Sequence, residues 1–274
     1  MGVIVDALPL VILMLATGVV GGILAGLLGV GGGIVIVPVL EFALGVAGVD
    51  PGIRMHVAVA TSLATIIPTS IASSRAHHAR GAVDFGLVKS WGASILLGSV
   101  FGTWIASQVN STVLAAVFAV IALLVALKMM LPLQDKVVAK NVQTGVVGIP
   151  LPFSIGTLSS MMGIGGGTLS VPILTLLSKP IHQAVGTAAL FGLVISVPGT
   201  IGFVVGGWNN PSLPLGSFGF VNIIGFLIIS PATVIAAPFG AKIAHMLTRR
   251  QLSIAFGLFL LIVGIRMFCR ALIG

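Results

Sequence analysis

The chain has 274 residues, of which 57% are hydrophobic and only 7% charged. A soluble domain carries about 25% charged residues, so a water-soluble globule is excluded. Thirteen basic against five acidic residues give a formal net charge of +8, and the single cysteine, Cys269, excludes an intrachain disulfide.

Residues 7–40, 55–74, 90–127, 141–178 and 180–241 contain no Asp, Glu, Lys or Arg. A transmembrane helix needs about 20 mostly apolar residues, so the longer runs each hold more than one membrane-embedded element. The fold class that follows is an all-α integral membrane protein. The N-terminal residues before the first apolar run carry no Lys or Arg, unlike a signal peptide, so 8–28 reads as a retained helix.

The chain is organised around a stretch that occurs twice. Gly29-Val30-Gly31-Gly32-Gly33 precedes Ile34 to Leu40, and Gly163-Ile164-Gly165-Gly166-Gly167 precedes Thr168 to Leu174, at an offset of 134 residues. Glycine forfeits helix propensity and tolerates φ > 0, so each tract breaks a helix. In chain order the reading is a helix over 8–28, the first break, and a short piece from Ile34 to about Val46. Helices over 55–74, about 88–107 and about 113–131 follow. Trp91, near the start of the second of these, suits a membrane interface. The second half repeats the order: 144–162, the second break, a short piece from Thr168 to Ser178, then helices over about 183–205, 218–246 and 251–272.

Further matches extend the repeat. His56, Ala58, Val59 and Thr61 match His182, Ala184, Val185 and Thr187 at offset 126, and Phe101-Gly102 matches Phe239-Gly240 at offset 138. The organisation predicted is a first transmembrane repeat over 1–132, a cytoplasmic linker over 133–143, and a second repeat over 144–274, forming one membrane domain. The basic loop at 75–89 belongs in the cytoplasm, whereas its counterpart, the uncharged loop 206–214, then lies outside. The two repeats are therefore expected to be inverted. Each holds a Gly-broken helix pair plus three transmembrane helices, about 8–10 embedded segments in all. A crossing and a re-entrant hairpin both fit the broken pair. This topology puts Arg266 and Arg270 near the outer face, against the usual bias.

Enzyme motifs are scarce. There is no G-x-S-x-G, H-E-x-x-H or Walker lysine, and the glycine tracts do not complete G-x-G-x-x-G. Adjacent His77 and His78 point about 100° apart on a helix and make poor joint metal ligands. No catalytic residue, metal or cofactor is expected. The positive balance suits cytoplasmic loops and an anionic substrate alike, and with no basic domain outside the membrane a nucleic-acid partner is not expected.

Paired Gly-interrupted apolar segments at matching places in two halves point to a transporter binding site. Two readings stay open for the breaks. One is tight helix packing through small residues. The other is an anion cradle of half-helix N-termini converging near the midplane, at Gly31, Gly32, Gly33, Gly165, Gly166 and Gly167. Thr61, Ser62 and Thr187 could offer hydroxyl donors and Gln183 an amide, or could serve helix-start chemistry alone. Glu41, the one acid set within apolar sequence, and His56 and His182 are candidates for gating or coupling.

The pattern G-L-L-G-V-G-G-G-I-V-I-V-P-V-L at 26–40, its second copy at 160–174, H-V-A-V-A-T-S at 56–62 and H-Q-A-V-G-T-A at 182–188 resemble the signature of the TauE/SafE sulfite exporter family. The resemblance covers nearly the whole chain. It implies a multi-pass permease of the prokaryotic inner membrane for a small sulfur-containing anion, such as sulfite or an organosulfonate. The expected partners are that substrate and the lipid bilayer, and a homodimer is compatible with the sequence. The alternatives are a transporter of a different small anion, a membrane-embedded enzyme using Ser, Thr and His groups, and an assembly subunit without flux.

Overall fold

The computed structural model describes residues 2–28, 32–130, 148–244 and 249–273. Ten helices follow one another: α1 (Gly2–Leu28), α2 (Gly33–Val46), α3 (Pro51–His78), α4 (Phe85–Gln108), α5 (Ser111–Met130), α6 (Pro150–Met162), α7 (Gly167–Leu176), α8 (Ile181–Gly206), α9 (Ile223–Ala244) and α10 (Arg249–Ile273). A two-residue ribbon, β1 (Ser217–Phe218) with β2 (Val221–Asn222), precedes α9. Among the described residues five helices, α3, α4, α5, α8 and α9, are long and apolar enough to cross a membrane. The protein is an all-α, multi-pass integral membrane protein, and exposed Leu97, Trp104, Leu124, Leu127, Ile201 and Ile235 present its apolar outer surface to lipid.

Local chemistry sets the helix ends. Asp50 caps α3 by accepting from Gly52 N at 2.8 Å, with Pro51 in the first turn, where a missing N–H costs nothing. Asp84 caps α4 by accepting from Leu87 N at 3.0 Å, and Asn110 accepts from Val113 N at the start of α5. The helix expected from 218 begins instead at Ile223, because Gly216 and Gly219, at φ 77° and 55°, fold the preceding residues into the ribbon. Asn222 then caps α9 by accepting from Gly225 N at 2.8 Å.

α3 is the most buried of the five long helices and forms the axis of the molecule, crossing α8 and contacting α2, α5 and α9. The other large pairings are α1 on α9, α6 on α4, and α5 on α10. Glycines make the first two close. A Cβ on Gly22 would strike Thr233 O, and one on Gly156 would strike Ile95 O. One on Gly102 would meet Thr157 O, and one on Gly240 would meet Ile23 O. Each of these contacts has its partner at the matching position of the other half, by the offsets 134 and 138.

The short helices do not span. α2 with 14 residues and α7 with 10 are about 21 and 15 Å long at 1.5 Å per residue, against a hydrocarbon core of about 30 Å. α6 runs parallel to α4, since Gly98 meets Phe153 and Gly102 meets Thr157. α7 then returns to the end where α4 begins, because Lys179, three residues past α7, pairs with Asp84 at 2.7 Å. α7 therefore turns back from α6 towards that end. α1 runs parallel to α9, with Gly18 against Ile229 and Ile23 against Gly240. α2 turns back from α1 to the start of α3, the opposite end of the molecule.

Trp91 is fully buried and stacks on Phe191 of α8 with centroids 6.1 Å apart. It does not serve as the lipid-interface residue its position suggested, because α8 covers that face of α4. The proposed linker 133–143 lies outside the described residues.

Candidate functional site

The two glycine breaks lie side by side. Gly32 caps α2 with φ 77°, a left-handed conformation suited to glycine, and its carbonyl accepts from Val35 N and Ile36 N at 3.0 and 3.1 Å. In the second half α6 ends at Gly163 with φ 67°, Gly165 is also left-handed at φ 65°, and Gly166 caps α7. A Cβ on Gly33 would stand 2.8 Å from Ile164 Cα, so the two breaks touch at backbone distance. Ser62 of α3 holds the second break, donating to Gly163 O at 2.7 Å. Gly166 presses on α8, where a Cβ would lie 2.6 Å from Gly192 N and 2.7 Å from Ala188 O. Close packing is thus one demonstrated use of these glycines. Gly31 lies outside the described residues.

The start of α7 also carries polar groups that sequence reasoning missed. Ser159, four residues before Gly163, and Thr168 and Ser170 in the first turn of α7 are 0–2% exposed. Among the described residues their hydroxyls have no hydrogen-bond partner. A buried polar group left unsatisfied costs about 1–3 kcal/mol, and such groups in native structures are normally satisfied. Thr168 and Ser170 are two positions apart on α7 and so point to different sides of it; near a helix N-terminus each is a neutral donor of the kind that can serve an anion without a buried cation. A signal existed in the repeat itself. At offset 134 the same positions in the first half are Ala25, Ile34 and Ile36.

The other residues singled out from the sequence divide among several places. Thr61 is fully buried and accepts from Asn222 N at 2.9 Å. Thr187 accepts from Asp84 N at 3.0 Å. The two hydroxyls thus hold the caps of α9 and α4, positions 222 and 84, which match at offset 138. His56 is buried, and its Nε2 lies 3.1 Å from Ala106 O and 3.0 Å from Val109 O. Two carbonyls about one nitrogen place the proton on Nε2, so His56 donates to the end of α4. It also stacks on Phe220 at 5.0 Å. His182 and Gln183 are exposed at the start of α8, away from the breaks.

Glu41 is 3% exposed on α2 and faces two cations. Arg270 of α10 pairs with its Oε1, and Arg54 Nη1 stands 3.9 Å from the same oxygen. At the other end of the molecule, the Lys179 ammonium and the Leu87 N–H hold the Asp84 carboxyl below the usual carboxylate range. Among the described residues no group of three or more His, Cys, Asp or Glu could hold a metal ion.

The family model for the sulfite exporter TauE/SafE matches residues 14–267. The chain belongs to the TauE/SafE family. A probable membrane transporter protein of Haemophilus influenzae is 35% identical over 263 residues, covering 95% of this chain and 98% of that protein. The probable membrane transporter protein YunE of Bacillus subtilis is 27% identical over 92% of the chain and 95% of its own length. MJ0441 of Methanocaldococcus jannaschii, described in the same words, is 26% identical over 96% and 97%. No solved structure matches the chain. The TauE/SafE match spans both glycine breaks and all three hydroxyls, and this TauE/SafE chain is a membrane transporter.

Proposed function

We propose that the protein carries a small sulfur-containing anion, such as sulfite or an organosulfonate, across the inner membrane. The substrate is bound where the two glycine breaks meet. The observation that carries this reading is the set of three buried, unpartnered hydroxyls, Ser159, Thr168 and Ser170, at the α6–α7 break. An oxyanion accepts hydrogen bonds from those of the three hydroxyls that face the junction, and the N-terminal dipole of α7 favours its negative charge. Neutral donors avoid the cost of placing several arginines in the bilayer core.

Two repeats over 1–132 and 144–274, inverted with respect to each other, fit the paired contacts. The α1–α2 hairpin enters at the end where α3 begins and the α6–α7 hairpin at the end where α3 finishes. With the basic 75–80 turn in the cytoplasm, the first hairpin opens outward and the second inward. Rocking of the hairpins against α3 and α8 alternates access to the junction. Export of a monoanion from a negative interior needs no coupling ion, since the potential assists by roughly 2.3 kcal/mol per charge per 100 mV.

The test is electrogenic current from proteoliposomes on a solid-supported membrane, with sulfite, thiosulfate, taurine and sulfoacetate stepped against a chloride control. A saturable current for one sulfur anion, lowered about tenfold in Ser170→Ala, is the expected result. A current that Ser159→Ala, Thr168→Val and Ser170→Ala all leave intact would remove the hydroxyl set from the site.

A further inference from the structure

A second feature lies at the far end of α2. Glu41 and Phe42 on α2, Arg54 on α3, and Arg266 and Arg270 on α10 line a cavity of about 470 Å³. Three guanidiniums and one carboxylate line it, an excess of two positive charges. Arg54 is anchored, with Nε and Nη2 both donating to Val49 O at 3.1 and 2.7 Å, which leaves Nη1 directed towards Glu41. Arg270 pairs with the same carboxylate oxygen. Arg266 lies over the Phe42 ring, its Cζ 4.6 Å from the centroid, and among the described residues it has no carboxylate partner.

Cations held in a half-buried cavity at a membrane protein's end are costly unless an anion joins them. Capping the C-terminus of α2 explains Arg54, which binds the carbonyl just beyond that helix. It does not explain two further arginines brought from α10. The second half makes the contrast. At offset 138 Arg266 is matched by Lys128, and at offset 134 Glu41 is matched by Thr175. Lys128 Nζ and Thr175 Oγ1 both donate to Pro172 O, at 3.1 and 2.9 Å, so that cation is tied to α7.

We infer that this cavity is a peripheral anion site, distinct from the glycine junction, that takes a small oxyanion. Glu41 acts as its internal ligand. Its carboxylate occupies the guanidinium cluster when the site is empty and is displaced when a sulfite- or sulfonate-class anion arrives. Bidentate guanidinium geometry suits such oxygens. The location fits a vestibule. Glu41 is eight residues along α2 from Gly33, about 12 Å by helical rise. Arg54 and Arg75 lie 21 residues apart on α3, about 31 Å, so the cavity belongs to the face opposite the 75–80 turn. The inference shares only its ligand class with the proposed function. It is tested at equilibrium without flux, so either can fail alone.

The experiment measures binding calorimetrically with sodium sulfite and sodium methanesulfonate at constant ionic strength. The protein sits in nanodiscs of phosphatidylcholine alone, and the Ser170→Ala background weakens the junction. Removing the competing carboxylate in Glu41→Gln tightens binding about tenfold, and Arg266→Gln weakens it about tenfold, the scale of one charged hydrogen bond. A purely structural ion-pair cluster gives the opposite pattern: Glu41→Gln lowers the unfolding temperature and binds no better. Arg266→Gln breaks no ion pair and keeps the test informative if Glu41→Gln does not fold. Absence of binding by both anions, or binding indifferent to Arg266→Gln, overturns the inference. A phosphate headgroup offers the same chemistry, so a parallel arm adds phosphatidylglycerol. Retention of that lipid in an Arg266-dependent manner, with no soluble anion bound in phosphatidylcholine, would make this a lipid site and overturn the vestibule.

Discussion

The two glycine breaks share a backbone and differ in chemistry. The first is flanked by buried Ala25, Ile34 and Ile36, the second by buried Ser159, Thr168 and Ser170 at the matching positions. Both hold left-handed glycines, and they press on each other through Gly33 and Ile164. The shared part is what close packing requires, since only a residue without Cβ lets two backbones meet at this distance. The unshared part is what the proposed site uses. One greasy wall and one hydroxyl wall would give that site a polar side, where two identical greasy walls would give none.

The largest test of the shared part is Gly166→Ala, whose Cβ would sit 2.6 Å from Gly192 N. Gly32→Ala meets Gly21 O at 2.8 Å and carries a strained φ of 77°. Each is expected to abolish flux and to cost about 1–3 kcal/mol from overpacking, read as a lower unfolding midpoint in nanodiscs. If only one of them were destabilising, the breaks would not be equivalent scaffolds.

The unshared part is sharpened by exchanging the walls. Ser159→Ala, Thr168→Val and Ser170→Ala make the second break resemble the first. Each is expected to lower flux about tenfold, the worth of a hydrogen bond to a charged group. None should lower thermal stability, because no protein partner is lost. The reverse change, Ile36→Ser, buries a hydroxyl without an assigned partner and is expected to destabilise by about 1–3 kcal/mol while leaving substrate selectivity as it was.

Ser62→Ala tests the tie between α3 and the second break. It leaves Gly163 O without its 2.7 Å donor, so a stability loss of about 1–3 kcal/mol is expected, checked by denaturation with flux measured alongside. A midpoint equal to that of the unmodified protein would show that the packing of Gly33 alone holds the junction.

The smallest effect separates the two matched caps, Asp84 and Asn222. The Lys179 ammonium depresses the Asp84 carboxyl, so its native pKa lies below its unfolded one. The stabilisation is complete above the unfolded value and is lost as pH falls through the native one. Asp84→Asn, copying Asn222, should remove this acid-side loss and change stability at neutral pH by about 0.2–1 kcal/mol, the range of exposed pairs. Unfolding midpoints between neutral pH and the acid range check it.

Much of this architecture was legible in the chain. The helix α8, expected at 183–205, runs from Ile181 to Gly206, because uncharged runs bounded by Gly, Pro and charge leave little freedom in a membrane. Two features misled. Trp91 reads as an interface residue by type and place, yet stacks on Phe191, and burial by a distant helix has no local signature. The start of α9 was set five residues early because the ribbon at 217–222 is as apolar as the helix it precedes. Thr61 and Thr187 were visible as a repeated pair, but their partners, 161 and 103 residues away, were not.

By itself the sequence determined the class, the membrane setting, the duplicated glycine breaks and the family, since composition, periodicity and repeats are properties of the chain's order alone. Only the tertiary structure decided three things. α7 turns back towards the start of α4, because the pairing of Lys179 with Asp84 holds its end there. Three buried hydroxyls lack partners among the described residues, because that depends on neighbours in space. Arg270 and Arg266, oddly placed for a helix end by charge alone, meet Glu41 and Phe42 respectively, because α10 folds back to α2 across more than 200 residues of intervening chain.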